Sequence, residues 1–117
     1  MSPALIDAAR RWRAAARPAV VVSVLRTRGS VPREAGTRML VAADEVLGSI
    51  GGGHLELQAI ADARALLAGG GAPVDRTVAL GPALGQCCGG ALELRFTPLA
   101  VDDPAGWPRP APRFVLQ

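Results

Sequence analysis

The sequence predicts an α+β domain of two layers, in which a mixed sheet of about five strands carries two main helices. Three observations point there. Apolar residues recur at helical spacing near residues 3–16 and again over 54–68, a β-branched run occupies 19–28, and apolar and polar residues alternate over 91–97.

Taken in order, Ser2 is placed as an N-cap and Pro3 at the first helical position. Leu5, Ala9, Trp12 and Ala16 form the apolar stripe, and Pro18 ends the helix. "AVVVSVLRTR" at 19–28 begins apolar and finishes on arginines, as a central strand running toward a functional edge would. The loop "RGSVPREAG" follows, and then "TRMLVAADEVLGSI" reads as two strands around a turn at Ala43 to Glu45. The second helix, 54–68, has Ile60, Ala63 and Leu67 on one stripe and is stopped by Gly69 to Gly71. "DRTVAL" is a further strand. In the last, Leu92, Leu94 and Phe96 alternate with Glu93, Arg95 and Thr97, a half-buried pattern.

Pro104, Pro108, Pro110 and Pro112 make residues 100–112 read as a stiff, extended linker. "RFVLQ" at 113–117 reads as the opening of a strand, so residues 1–99 are expected to be the amino-terminal domain of a longer protein whose second domain starts at 113. On that reading, removing 100–117 leaves stability nearly unchanged.

Composition narrows the function classes. With 117 residues there is room for one modest core, and with Trp12, Phe96, Trp107 and Phe114 as its aromatics that core must be built from Val, Leu, Ile and Ala. The net charge of +3 comes with no lysine, no basic block and almost no aromatic surface for stacking, which argues against nucleic acid. Guanidinium groups suit a small anion instead. "MSPALIDAARRW" lacks an apolar signal region and no run approaches the roughly 18 apolar residues of a membrane span, so a cytoplasmic protein without a membrane partner is expected. Cys87 and Cys88, adjacent in a reducing compartment, are expected to stay thiols.

Three glycine-bearing loops sit where strands end or begin, and in a sheet they can gather along one edge. "LRTRGSVPREAGTRM" holds Arg26, Arg28, Arg33 and Arg38 within thirteen residues and is electropositive; a solvated loop with turn glycines is the alternative. "GSIGGGHLE" puts Gly51, Gly52 and Gly53 before a helix start, where free amides and the helix dipole favour an anion. It is no dinucleotide fingerprint, because the third glycine position falls on Glu56, and no Walker lysine exists. Glu56 is placed either to look into a site or to satisfy nearby amides. His54 has no second histidine to make a metal pair. In "LGPALGQCCGG" the glycines let amides surround and expose a thiol, and in an extended segment adjacent side chains point to opposite faces. One cysteine would then line the site and its neighbour pack below; two small buried hydrophobes are the alternative.

"GSVPREAGTRML", "GSIGGGHLE" and "LGPALGQCCGG", in this order, resemble the amino-terminal domain of the xanthine dehydrogenase accessory protein family, XdhC/CoxI, over about residues 1–99. The resemblance implies binding of molybdenum cofactor (molybdopterin) and its protection while a cysteine desulfurase exchanges a terminal oxo ligand for sulfido. It further implies delivery to a molybdenum hydroxylase such as xanthine dehydrogenase, by a dimeric chaperone rather than a turnover enzyme, with a Rossmann-like second domain. Carried over by motif, the cofactor-binding residues are Arg33, Gly51, Gly52, Gly53, Glu56, Gln86, Cys87 and Cys88, with Cys87 or Cys88 meeting the metal. Thiolate is a soft ligand suited to a sulfur-rich metal centre, and arginines with helix-terminal amides suit a phosphate. The alternative is a cysteine-dependent sulfurtransferase or redox thiol protein, in which His54 would have to serve as base.

Overall fold

The computed structural model describes residues 3–28, 35–70, 72–79 and 91–107. Helix α1 (Pro3–Ala14) is followed by β1 (Ala19–Arg28), the hairpin β2 (Arg38–Ala42) and β3 (Val46–Gly48), helix α2 (Gly53–Gly69), and strands β4 (Val74–Ala79) and β5 (Ala91–Pro98). Two single 3-10 turns, Leu99–Val101 and Pro104–Gly106, complete the described chain. The α+β class, the five strands and the two helices are those the sequence predicts.

Two details of the architecture differ. The sheet order is β3-β2-β1-β5-β4 and every neighbouring pair is antiparallel, so the sheet is not mixed. A helical crossover usually sets its two strands side by side and parallel. Here α2, about 25 Å long at the usual helical rise, carries the chain from one sheet edge to the other. β3 and β4 do run the same way, but β2, β1 and β5 stand between them.

The second difference is that the helices cover opposite faces, giving three layers. On one face Val20, Val22 and Val24 of β1, Met39 and Val41 of β2, and Leu92, Leu94 and Phe96 of β5 pack with Leu55, Ala59 and Ala63 of α2. On the other, Ala19, Val21, Leu40 and Ala42 pack with Leu5, Ile6, Ala8, Ala9 and Trp12 of α1. The unbroken apolar start of β1 has this cause: Val20, Val21 and Val22 are all buried, on alternate faces. Gly48 ends β3 with φ +80, and a Cβ there would meet the Arg38 carbonyl at 3.0 Å and a Leu5 methyl at 3.3 Å, so its bareness lets α1 lie against the hairpin.

Helix α1 stops before Pro18. The Arg17 amide donates to the Trp12 carbonyl (2.9 Å) and the Ala16 amide to that of Arg13 (3.0 Å), the double closure of a Schellman turn. Ala16, expected on the helical stripe, is instead exposed and left-handed at φ +56. Arg17 then lies over the Trp12 ring, 4.0 Å from its centre, and ties the β2–β3 turn to the helix end through Asp44 (2.9 Å) and Glu45 (3.0 Å).

The segment from 100 also differs from an extended linker as far as it is described. Leu99, Pro104 and Trp107 are buried, Leu99 and Trp107 in the α1-side core. Asp103 caps the second turn by accepting from the Ala105 amide (3.0 Å), and the Trp107 indole donates to Asp102 (3.0 Å). Prolines that exclude a regular helix still fit 3-10 turns, Pro104 standing at the first position of one.

Two stability measurements check this description. Ala16→Gly relieves a left-handed alanine and is expected to raise stability by about 1 kcal/mol in urea unfolding. Deleting 100–117 removes Trp107 from the core and is expected to cost about 3 kcal/mol or more, with Trp107→Ala reproducing most of the loss.

Candidate functional site

Strand register brings the strand ends that flank the three glycine-bearing loops to one end of the sheet. β1 ends at Arg28, whose partner Ala91 opens β5, and Ala91 is in turn paired with Ala79, the last residue of β4. β3 finishes at Gly48 against Met39, near the start of β2. The connections 29–37, 49–52 and 80–90 therefore all leave from that end, on strands that are neighbours in the sheet. Arg33, Gln86, Cys87 and Cys88 lie outside the described residues.

The described arm of the arginine loop folds back on β1. The Gly36 amide donates to the Val24 carbonyl and the Val24 amide to that of Thr37, both at 2.8 Å. Arg26 and Glu93, cross-strand partners, form an ion pair at 3.5 Å, with the Arg26 side chain largely in solvent. A register irregularity between Val24 and Arg26 marks where the strand leaves the packed sheet for the loop end.

In the glycine loop, Gly51, Gly52 and Gly53 have φ of 127, 76 and 68, three successive values that side chains resist. A Cβ added at Gly52 or Gly53 meets nothing within 4 Å, so what selects glycine there is the backbone conformation. That conformation turns the loop around Glu56. Its Oε1 accepts from the Ser49 hydroxyl, from the Ile50 amide (3.0 Å) and from the Gly52 amide (3.1 Å), while Ser49 Oγ accepts from the Gly51 amide (3.1 Å). The amides offered to an external anion are thus held by the chain's own carboxylate, one turn inside α2. His54 is exposed beside it.

A second polar feature was not singled out from the sequence. On the face opposite α2, α1 covers only half of the sheet. The other half carries a row across four strands: Arg38 of β2 beside Ser23 of β1, Ser23 beside Arg95 of β5, and Arg95 beside Asp75 of β4. This row floors an open cavity of about 560 Å³. Arg95 grips Asp75 with two hydrogen bonds, 2.8 and 3.1 Å, which hold the Asp75 carboxyl below its ordinary range. Arg38 donates to the Gly36 carbonyl (2.9 Å) and lies over the Trp107 ring at 5.2 Å, a cation–π contact. Its Nε is buried and has no hydrogen-bond partner. Burial pushes the Arg38 guanidinium below its usual range, with the Asp102 charge opposing. Ser23, the break in "VVVSV", and the alternation of Arg95 and Thr97 were the available signals; only the register joins them.

The model of the XdhC and CoxI family matches residues 12–78, more than half of the 117-residue chain. The chain belongs to the XdhC and CoxI family. The matched span takes in the arginine loop and Gly51 to Glu56 and ends before Gln86. A crystal structure described as a xanthine dehydrogenase from Bacillus halodurans resembles this XdhC/CoxI domain with a TM-score of 0.65 at 22% identity. The match covers 90% of this chain and 32% of that one, and at such identity it shows a shared fold. No curated protein matches the chain. Among the described residues no helix is long and apolar enough to cross a membrane.

If Glu56 organises the glycine loop, Glu56→Ala should lower stability by about 1–2 kcal/mol and Glu56→Gln by less, since an amide oxygen still accepts. Urea unfolding of both variants checks this. An unchanged Glu56→Ala protein would restrict the residue to ligand binding.

Proposed function

We propose that this XdhC/CoxI domain serves an accessory protein that holds molybdenum cofactor for a molybdenum hydroxylase such as xanthine dehydrogenase. On this reading it shields the cofactor while a cysteine desulfurase replaces a terminal oxo ligand by sulfido, and then delivers it. It acts in the cytoplasm as a homodimer and, with a second domain from residue 113, performs no turnover of its own. The observation that carries the proposal is convergence: motifs tens of residues apart depart from one end of one sheet, where register sets Arg28, Ala79 and Ala91 together.

The donor set fits the group. Cys87 or Cys88 supplies a soft thiolate for a sulfur-rich metal centre, with Gln86 beside it, and the arginine loop with Arg33 supplies guanidinium for the phosphate. The glycine loop contributes differently from the sequence expectation. With Glu56 already on the amides of Ile50 and Gly52, it gives a close-approaching backbone surface over Gly52 and Gly53 rather than a second phosphate cradle. When bound, the cofactor brings the metal and the exchangeable ligand; the chain's residues bind, orient and exclude water.

Anaerobic co-expression with cofactor biosynthesis, followed by molybdopterin analysis of the purified chain, tests the reading. Cofactor is expected in the wild type. Cys87→Ala and Cys88→Ala should behave unequally, one losing cofactor while folded and the other losing about 1 kcal/mol of stability. Full retention in both single variants and in the double variant would remove the thiols from the site. Persulfide formed without bound molybdopterin would favour a sulfurtransferase instead.

A further inference from the structure

We propose that the polar floor between α1 and β4, centred on Ser23, is a binding site for a small molecule bearing a carboxylate or phosphate group. It lies on the face of the sheet, and apart from Leu25 and Arg38, which flank the arginine loop on β1 and β2, it is built from residues outside the three loops. Arg95, which the cofactor reading does not use, lets it be tested separately.

The register supplies the first argument. Arg38 and Arg95 are the two cross-strand neighbours of Ser23, one on each side. With strands about 4.8 Å apart, two guanidinium-bearing positions bracket one hydroxyl across roughly 10 Å. Asp75 stands beyond Arg95 on the edge strand, outside this bracket. It takes two of the five donors of Arg95, leaving the others for an acceptor above Ser23. Planar guanidinium forks are suited to paired oxygens, as in carboxylate and phosphate.

The second argument is the state of Arg38. A buried guanidinium N–H without an acceptor is a rare and destabilising arrangement. Its Nε is in that condition, although Trp107 covers the group and Gly36 takes another of its donors. An anion over Ser23 adds an opposite charge to that of Asp102, and a small adjustment of the Arg38 side chain brings its unpartnered Nε–H to an oxygen. Asp102, whose charge acts on this guanidinium and which also lines the cavity, accepts from the Trp107 indole at 3.0 Å.

The cavity sets the rest of the ligand. Its volume, about 560 Å³, lies within the range of small-molecule sites. Thr97, two residues beyond Arg95 on β5, adds a hydroxyl to the lining, while Leu25, Pro73 and the exposed Val101 give apolar walls. The chemistry that fits is an acid group with an apolar body attached.

Calorimetric titration of the purified 117-residue chain with sodium benzoate and, separately, with inorganic phosphate tests the site, against sodium chloride at equal ionic strength. Saturable binding of at least one of the two is expected, and the tighter of them identifies the acid group. Arg95→Gln and Arg38→Lys should each weaken it at least tenfold, while Arg10→Gln, at an exposed position on α1, should leave it unchanged. Arg95 is half exposed, so its variant carries the test even if Arg38→Lys does not fold. The proposal is overturned by the absence of saturable binding of either anion to the wild type. It is equally overturned by undiminished binding in Arg95→Gln, or by a loss in Arg10→Gln as large as that in Arg95→Gln.

Discussion

Burial of β1 on both faces is the constraint from which the rest of the domain follows. Its valines alternate between the α2 side and the α1 side, and its two edges are filled by β2 and β5. A strand so enclosed needs a helix above and a helix below, and its backbone groups need a partner on each side. Once those are in place, β3 and β4 can only be edges, and α2 must cross the sheet to join them. The common loop end is a by-product of the same arrangement, because antiparallel strands with short hairpins return their connections to two ends only.

Local chemistry made most elements legible. The β-branched run, the Ala43 to Glu45 turn, the glycine stop after α2 and the alternation around Leu94 each correspond to an observed element. What failed depended on long-range geometry. Helical spacing announces a helix without saying which face of the sheet it covers, so two layers were expected where three exist. A mixed sheet was expected where every neighbouring pair is antiparallel, and nothing local reveals the three strands that stand between the two that α2 joins. Prolines near 104 suggested a spacer, whereas Trp107 returns the chain to the core through 3-10 turns. Of the site, the loops were visible as motifs. The Arg38, Ser23, Arg95 and Asp75 row was not, because its members are far apart in sequence and meet through register alone.

The domain treats negative charge in two ways. At the start of α2 the helix dipole and the loop amides are met by Glu56 from within the helix, a fixed intramolecular arrangement. Across the face of the sheet, guanidinium groups are only partly met, Arg95 by Asp75 and Arg38 by a carbonyl and a ring. The first makes a rigid support. The second retains capacity for an outside partner, and the difference comes from geometry rather than from the number of charges.

The pairing of Val20 with Pro98 has a consequence for synthesis. During translation β1 leaves the ribosome early, and β2 can close one of its edges after a short loop. Its other edge must wait for β5, nearly eighty residues later, and the face that carries Val20, Val22 and Val24 stays uncovered until α2 has docked. In that interval the nascent chain displays "AVVVSVL", an uncharged β-prone stretch of the type that self-associates. The strand that makes the finished domain coherent is therefore its greatest exposure while it is being made, and the late arrival of β5 determines how long that exposure lasts.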